Sequence, residues 1–247
     1  MVAQAYCGPA PAPEALLAAW NADAVAVGLC AALVLAHARR GEPAGRPPLA
    51  AAILLLLALY LSPLCALTVA LFSARVAHHV LLVAVAAPLL ALAFPARGEA
   101  PRRIGPSLPL LVAVHAAVLW LWHAPPVYEV AIRGALPYWT MQASLLASAV
   151  LLWQRVLAPR MEIGPAVLAL LAAAVQMGML GALLTFAREP LYAPHVATTL
   201  AYGLTPRADQ QLAGLIMWVP AALPYLAVAA LLIGARLGQP PARAGRR

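Results

Sequence analysis

Seven long apolar runs constrain the fold of this 247-residue chain more than any other feature of its sequence. A helix needs about 20 mainly apolar residues to cross the hydrocarbon core of a bilayer. The chain is 64% hydrophobic and only 10% charged, so it lacks the polar surface of a soluble domain of this size. We therefore predict an all-α integral membrane bundle of seven transmembrane helices. The predicted spans are Leu16–His37, Leu49–Leu71, Val76–Phe94, Leu108–Trp122, Tyr138–Leu157, Pro165–Phe186 and Ala208–Leu237.

The distribution of arginine predicts the orientation of this bundle. Lysine is absent, and the sixteen basic residues fall mainly into alternate loops. With the N-terminus outside and the C-terminus cytoplasmic, twelve arginines lie on the cytoplasmic side, as the positive-inside rule requires. The four outer arginines are Arg75, which we place in a short turn, Arg133, Arg188 and Arg207. Topology thus explains the net charge of +8, which does not indicate nucleic-acid binding.

The predicted domains follow from the spans. Residues 1–15 form an outer N-terminal tail, residues 16–237 the transmembrane domain, and residues 238–247 a basic cytoplasmic tail beside anionic lipid. No basic segment precedes an apolar one at the N-terminus, so we expect no cleavable signal. Proline breaks the runs in two places. Ser62-Pro63 interrupts the second span, and Pro125-Pro126 ends the fourth near His123 and opens a short outer loop.

Most of the histidines lie at the predicted outer face. His78 and His79 begin the third span, His123 ends the fourth, and His195 lies in the last outer loop. Copper accepts imidazole and thioether ligands, and Met217 lies in the outer half of the seventh span. Ionisable groups within a membrane indicate function by default, although interfacial anchoring or hydrogen bonding between helices also accounts for them. Because no two candidates form a recognised ligand motif, the spacing alone defines no metal site.

Simpler structural explanations remain open for other polar residues at this face. Glu129 and Arg133 are four residues apart and can form a surface ion pair. Asp209 can cap the last helix, and methionines are more often packing residues than ligands. Cys7 and Cys65 both fall on the predicted oxidising side, but the spacing of the three cysteines indicates no pairing.

Three motifs resemble those of a known family. Residues 122–129, WHAPPVYE, resemble the W-H-x-P-x-x-Y-[DE] segment of the CtaG family, the membrane assembly factors of caa-type cytochrome c oxidase. Residues 209–220, DQQLAGLIMWVP, are similar to its D-Q-Q-x-x-G-x-x-M-W-x-P segment, and residues 72–90 to its third-helix segment. The resemblance implies a multi-pass protein of the bacterial inner membrane that is not an enzyme. Its role would be to help a haem–copper oxidase mature by supplying or inserting copper.

The resemblance also implies a set of site residues. His79 and His123 would hold Cu(I) transiently, with Met217 as a soft third ligand and His78 and His195 as further candidates. The residues that would position these ligands or contact the client are Tyr128, Glu129, Asp209, Gln210, Trp122 and Trp218. The implied partners are haem–copper oxidase subunits, periplasmic copper chaperones and membrane lipid.

Two positions depart from the family pattern. The third-helix segment usually reads H-x-x-x-H, but Arg75 stands at the first position and only His79 at the second. The family also tends to carry a histidine eleven residues before a tryptophan in the fifth helix, and counting back from Trp153 gives Gln142. A cation cannot ligate copper, so the metal site would be weakened or relocated in this chain.

These departures leave three functions open. Copper delivery is the leading hypothesis, and a metal-free scaffold that holds an oxidase subunit is the first alternative. A copper transporter is the second, although its deep polar path would be discontinuous, since it would depend on His115, Gln176, Met177 and Met179 alone. An enzyme is least favoured because the sequence shows no nucleophile–base pair.

Overall fold

The computed structural model describes residues 5–95 and 106–238 and shows a bundle of α-helices, with no β-strand in these residues. The predicted all-α class is therefore confirmed. The helices are α1 (Ala24–Arg40), α2 (Arg46–Leu61), α3 (Pro63–Ala70), α4 (Phe72–Leu81), α5 (Ala87–Ala93), α6 (Leu108–His123), α7 (Pro125–Ile132), α8 (Ala135–Val156), α9 (Ile163–Phe186), α10 (Pro206–Trp218) and α11 (Ala222–Leu237). A π-helical turn, Leu82–Ala86, joins α4 to α5. All but the first residue of the predicted basic tail lies outside the described residues.

Within the described residues, five helices are long and apolar enough to cross a membrane: Pro43–Leu61, Phe72–Ala93, Ala135–Val156, Ile163–Phe186 and Pro206–Ala235. A sixth is added if α6 and α7 are taken as one bent span. The 17 residues of α1 begin at Ala24 rather than Leu16, because Asp23 caps the helix by accepting from the backbone N–H groups of Val25 and Ala26. The chain is therefore a multi-pass helical protein, while the seventh span and the orientation stay predictions.

Proline shapes the ends of the helices in the middle of the chain. α2 ends at Leu61, and Ser62 then caps α3, its hydroxyl accepting from the Leu64 N–H at 3.2 Å. α6 ends at His123, as the two following prolines predict. The prediction of a loop after His123 is wrong. Pro125 and Pro126 instead start α7, where a missing N–H is tolerated, and the chain bends by 77° between the two helices.

The third span begins earlier than predicted. Leu71 has an extended conformation, with φ −125° and ψ 130°, and α4 starts at Phe72. The predicted outer turn at Arg75 is therefore wrong. Arg75 lies inside α4 and is only 2% exposed, because the helix packs against α3 and α10. The prediction placed Arg75 in a loop because it is charged, whereas the residue lies in the interior of the bundle.

Glycines bring α10 close to α9. A Cβ atom on Gly214 would lie 2.5 Å from the Gly181 carbonyl oxygen and 2.7 Å from the Thr185 nitrogen. A Cβ atom on Gly181 would lie 2.7 Å from the Gly214 carbonyl oxygen. Small residues allow membrane helices to approach each other closely, so this pair sets the position of α10.

We expect Gly214→Ala to destabilise the bundle by about 1–3 kcal/mol, because the new methyl group meets backbone atoms that cannot turn aside. The melting temperature of the detergent-solubilised protein should fall by roughly 2–4 °C per kcal/mol lost. The matched control is Gly234→Ala on α11, where a Cβ would meet nothing within 4 Å. Equal melting temperatures for the two variants would contradict the close contact.

Residues 5–23, which we call the N-terminal segment, lie across one end of the bundle. Cys7 forms a disulfide with Cys65 of α3, a pairing that the cysteine spacing did not indicate. Farther along the segment, the Asn21 N–H donates to the Leu61 carbonyl at 2.9 Å. We call this end of the bundle the histidine end, because His79, His123 and His195 lie there. Disulfides persist in oxidising compartments, so the bond agrees with a histidine end that faces outwards.

Candidate functional site

Asp209 of α10 positions the helix that carries two of the histidines. Its carboxylate accepts from the backbone N–H groups of Phe72 at 2.7 Å and Ser73 at 3.1 Å, and from the Ser73 hydroxyl. These donors lie in the first turn of α4, and Leu71, the residue before it, supplies no side-chain cap. Asp209 therefore caps α4, whereas the sequence suggested a cap on its own helix or a contact with an imidazole.

Three buried imidazoles follow one another across the interface between α4 and α6. The ring centroids of His78 and His79 lie 5.9 Å apart, and those of His79 and His123 lie 5.6 Å apart. All three side chains are buried. Although His78 and His79 lie on different faces of α4, both are therefore enclosed by the bundle. The structure brings together the two residues that the sequence suggested as principal ligands.

Hydrogen bonding leaves nitrogen lone pairs available in this group. His123 Nδ1 lies 2.8 Å from the Leu119 carbonyl oxygen, so Nδ1 carries the proton and donates it. In the neutral ring, Nε2 then keeps its lone pair, and it has no hydrogen-bond partner. Neither ring nitrogen of His79 has a partner either. A hydrogen bond at one ring nitrogen is the usual way in which a protein orients the other toward a metal.

Aromatic side chains connect His195 to the same end. The Tyr128 hydroxyl lies 2.6 Å from His195 Nε2, and the Tyr192 hydroxyl donates to the His123 carbonyl at 2.7 Å. The Phe72 ring stacks on Tyr192 with centroids 3.7 Å apart. Burial, and next the charge of Arg75, lower the pKa of His195 to about 4. His195 is therefore neutral at physiological pH and is held by Tyr128, without direct contact to His79 among the ring contacts of the described residues.

Arg75 is the main unexpected component of the site. Its guanidinium lies over the Tyr138 ring, with Cζ 5.4 Å from the centroid. Nε and Nη1 have no hydrogen-bond partner, although the side chain is almost completely buried. The guanidinium also has side-chain hydrogen bonds with Tyr128 and Tyr138, which compensate part of the cost of burying its charge.

The second departure from the family pattern lies on the other side of His78. The Tyr60 hydroxyl donates to Gln142 Oε1 at 3.3 Å, and the Tyr60 ring contacts His78 with centroids 5.1 Å apart. Gln142 Nε2 is buried and has no partner. Gln142 thus borders the histidine group through Tyr60.

Gln210, Trp122, Trp218 and Glu129 have side-chain contacts with residues other than the imidazoles. Gln210 accepts from the Leu191 N–H at 2.6 Å and fastens the loop before α10. Trp122 donates to the Ser144 hydroxyl at 2.8 Å, and Trp218 packs on Gly178 and Phe186. Glu129 forms the exposed ion pair with Arg133 that its spacing allowed. Met217 is buried in α10, which packs on α4.

Among the described residues, no group of three or more His, Cys, Asp or Glu side chains could hold a metal ion. The chemical groups that the site does offer are two buried imidazoles with free lone pairs, those of His79 and His123. The sequence reasoning missed the roles of Tyr60, Tyr138 and Tyr192, and only Tyr138 lies at the outer end of a predicted span.

Together, the fold and the site define a multi-pass helical membrane protein with a buried histidine group at one end. Residues 28–237, most of the chain, match a family described as cytochrome c oxidase caa3 assembly factor, Caa3_CtaG. The chain belongs to this family, and the resemblance seen in the three motifs is confirmed. No curated protein and no solved structure matches the chain.

Proposed function

We propose that the protein holds Cu(I) transiently between His79 and His123 and passes it to a haem–copper oxidase subunit during assembly. The observation that carries the proposal is the contact between these two rings, 5.6 Å from centroid to centroid, in which His123 Nε2 and both nitrogens of His79 have no hydrogen-bond partner. A transfer site must release its metal, so a ligand set with few members suits this role. The role is one of an assembly factor rather than an enzyme.

The histidine end would face the outside of the bacterial inner membrane. Two independent features support this orientation: the arginine distribution and the Cys7–Cys65 disulfide. The client would then be an oxidase subunit with a copper centre on that side, and a periplasmic copper chaperone would supply the metal. Membrane lipid would surround the apolar helices.

The test is Cu(I) binding by the purified, detergent-solubilised protein in competition with a chromophoric chelator. We expect the His79→Ala/His123→Ala variant to lose the bound copper, because both nitrogen ligands are removed. The control is His37→Ala, since His37 is also buried and both of its ring nitrogens lack a partner. His37 lies near the C-terminal end of α1, where, among the described residues, its ring contacts Phe94 and none of the other histidines. Copper retained by the double variant, or lost equally in the control, would falsify the assignment of the site.

A metal-free scaffold is the second candidate, and Arg75 is the observation that favours it. The buried guanidinium adds a positive charge beside the imidazoles, which opposes the binding of a cation. In this case the purified protein would bind no Cu(I) above buffer, and a strain with the double variant would keep its oxidase activity. Transport of copper fits less well, because Met179 is 53% exposed on the outside of the bundle and does not continue a path from buried His115 and Met177.

A further inference from the structure

We propose that Cys7 and Cys65 form a second Cu(I) site, which exists only when the disulfide between them is reduced. The proposal rests on the position of the disulfide in the fold. It joins the N-terminal segment to α3, and α3 packs directly on α4, the helix of His78 and His79. The sulfur atoms therefore lie at the histidine end, yet nothing in the proposed copper transfer uses them.

The N-terminal segment closes this end of the bundle. The Tyr6 ring stacks on Tyr138 with centroids 4.4 Å apart, and the Tyr202 hydroxyl donates to the Pro11 carbonyl at 2.8 Å. The disulfide is the covalent bond between this segment and α3.

Reduction of the disulfide would give two thiols that can act together as metal ligands. The Cα atoms of Cys7 and Cys65 lie 5.5 Å apart. The contacts of Tyr6 with Tyr138 and of Pro11 with Tyr202 do not depend on the disulfide, so they would hold the segment near α3 after the bond is broken. Thiolates are soft ligands that select Cu(I), and two of them complete a two-coordinate site. Cys30 is the only free cysteine in the described residues, and it is buried in α1.

Neighbouring donors would stabilise the thiolate forms. The Asn21 side-chain amide donates to Cys65 Sγ at 3.6 Å, and the Tyr138 hydroxyl lies 3.8 Å from Cys7 Sγ. Hydrogen bonds to the charged form of a thiol favour that form. Tyr138 also carries the Arg75 guanidinium over its ring, so one side chain connects the sulfur pair with the histidine group.

The redox step balances with a dithiol protein of the outer compartment as the reductant. One thiolate of that protein attacks a sulfur of the Cys7–Cys65 bond, and its second thiolate resolves the mixed disulfide. The dithiol protein ends as a disulfide, while Cys7 and Cys65 gain its two electrons and two protons. Cu(I) then displaces both protons without changing its own oxidation state. The further movement of copper to His79 and His123 rests on the proposed function, but its binding to the sulfurs does not.

The experiment compares Cu(I) binding by the oxidised protein and by protein reduced with a phosphine and desalted without oxygen. A chromophoric Cu(I) chelator serves as the competitor. We expect the reduced protein to bind one further equivalent, and copper X-ray absorption to show sulfur neighbours only after reduction. Cys7→Ser should abolish the increment, and Cys30→Ser should keep it. Cys7 lies on the terminal segment, so its replacement spares the helical core, and circular dichroism checks that the fold is intact.

The outcomes separate this site from the histidine site. An increment that survives in His79→Ala/His123→Ala supports a sulfur site independent of the imidazoles, even if the oxidised protein binds no copper and the proposed function fails. The proposal is overturned if reduction adds no copper, or if Cys7→Ser keeps the increment.

Discussion

Replacing Asp209 with alanine is expected to have the largest effect on stability of any single substitution at the site. Three buried donors of α4 lose their acceptor: the N–H groups of Phe72 and Ser73 and the Ser73 hydroxyl. A buried donor left without a partner costs about 1–3 kcal/mol. We expect Asp209→Ala to lower the free energy of unfolding by about 3–5 kcal/mol. Thermal unfolding followed by circular dichroism in detergent would measure this loss.

Asp23 provides the matched comparison. It is also a buried aspartate that caps a helix, but it accepts from Val25 and Ala26 of its own helix, α1. Loss of such a local cap typically costs about 1 kcal/mol. If Asp23→Ala and Asp209→Ala lower the free energy of unfolding equally, the cap between helices that Asp209 supplies contributes no more stability than a local cap.

Arg75→His is expected to strengthen copper binding more than any other single substitution at the site. The substitution removes a buried positive charge and places an imidazole four residues before His79, on the same face of α4. Both changes favour Cu(I), and a gain of only 1.4 kcal/mol corresponds to a tenfold increase. We expect the dissociation constant for Cu(I) to fall about tenfold or more. Competition with the chromophoric chelator measures the change.

Two further variants show which part of the change matters. Arg75→Leu removes the charge without adding a ligand, so it should give part of the gain. Gln142→His places the family's histidine at the other departing position. Gln142 contacts Tyr60 rather than the His79–His123 pair, so the effect of this variant on Cu(I) affinity should be small. A folded Arg75→His protein with unchanged or weaker copper binding would contradict the view that Arg75 opposes the metal.

The sequence was most informative where the chemistry is local. Apolar run lengths predicted the all-helical class and five of the seven spans, and the two prolines after Ala124 predicted the end of α6 at His123. The depth of His79 and His123 along their spans predicted that they share one face, and their rings are in contact. The last-helix motif around Asp209 pointed to the correct family.

The parts that could not be predicted depend on packing between distant segments. The carboxylate of Asp209 reaches Phe72 across 137 residues of chain, and no propensity scale encodes that approach. The Cys7–Cys65 pair joins residues 58 positions apart, one of them on a segment whose path depends on Tyr138 and Tyr202. Arg75 was placed in a loop because a charge in an apolar chain is normally solvated, whereas here the surrounding aromatic rings enclose it.

The cap that Asp209 supplies to α4 also sets an order of events during biosynthesis. α4 is synthesised long before residues 206–218, so its first turn lacks the Asp209 acceptor while the five helices α5 to α9 are made. The first turn of α4, and with it the register of the imidazoles, is fixed only when α10 docks. A chain truncated before α10 would carry every histidine of the site without the cap on α4, so under the proposed function we expect it to take up no copper.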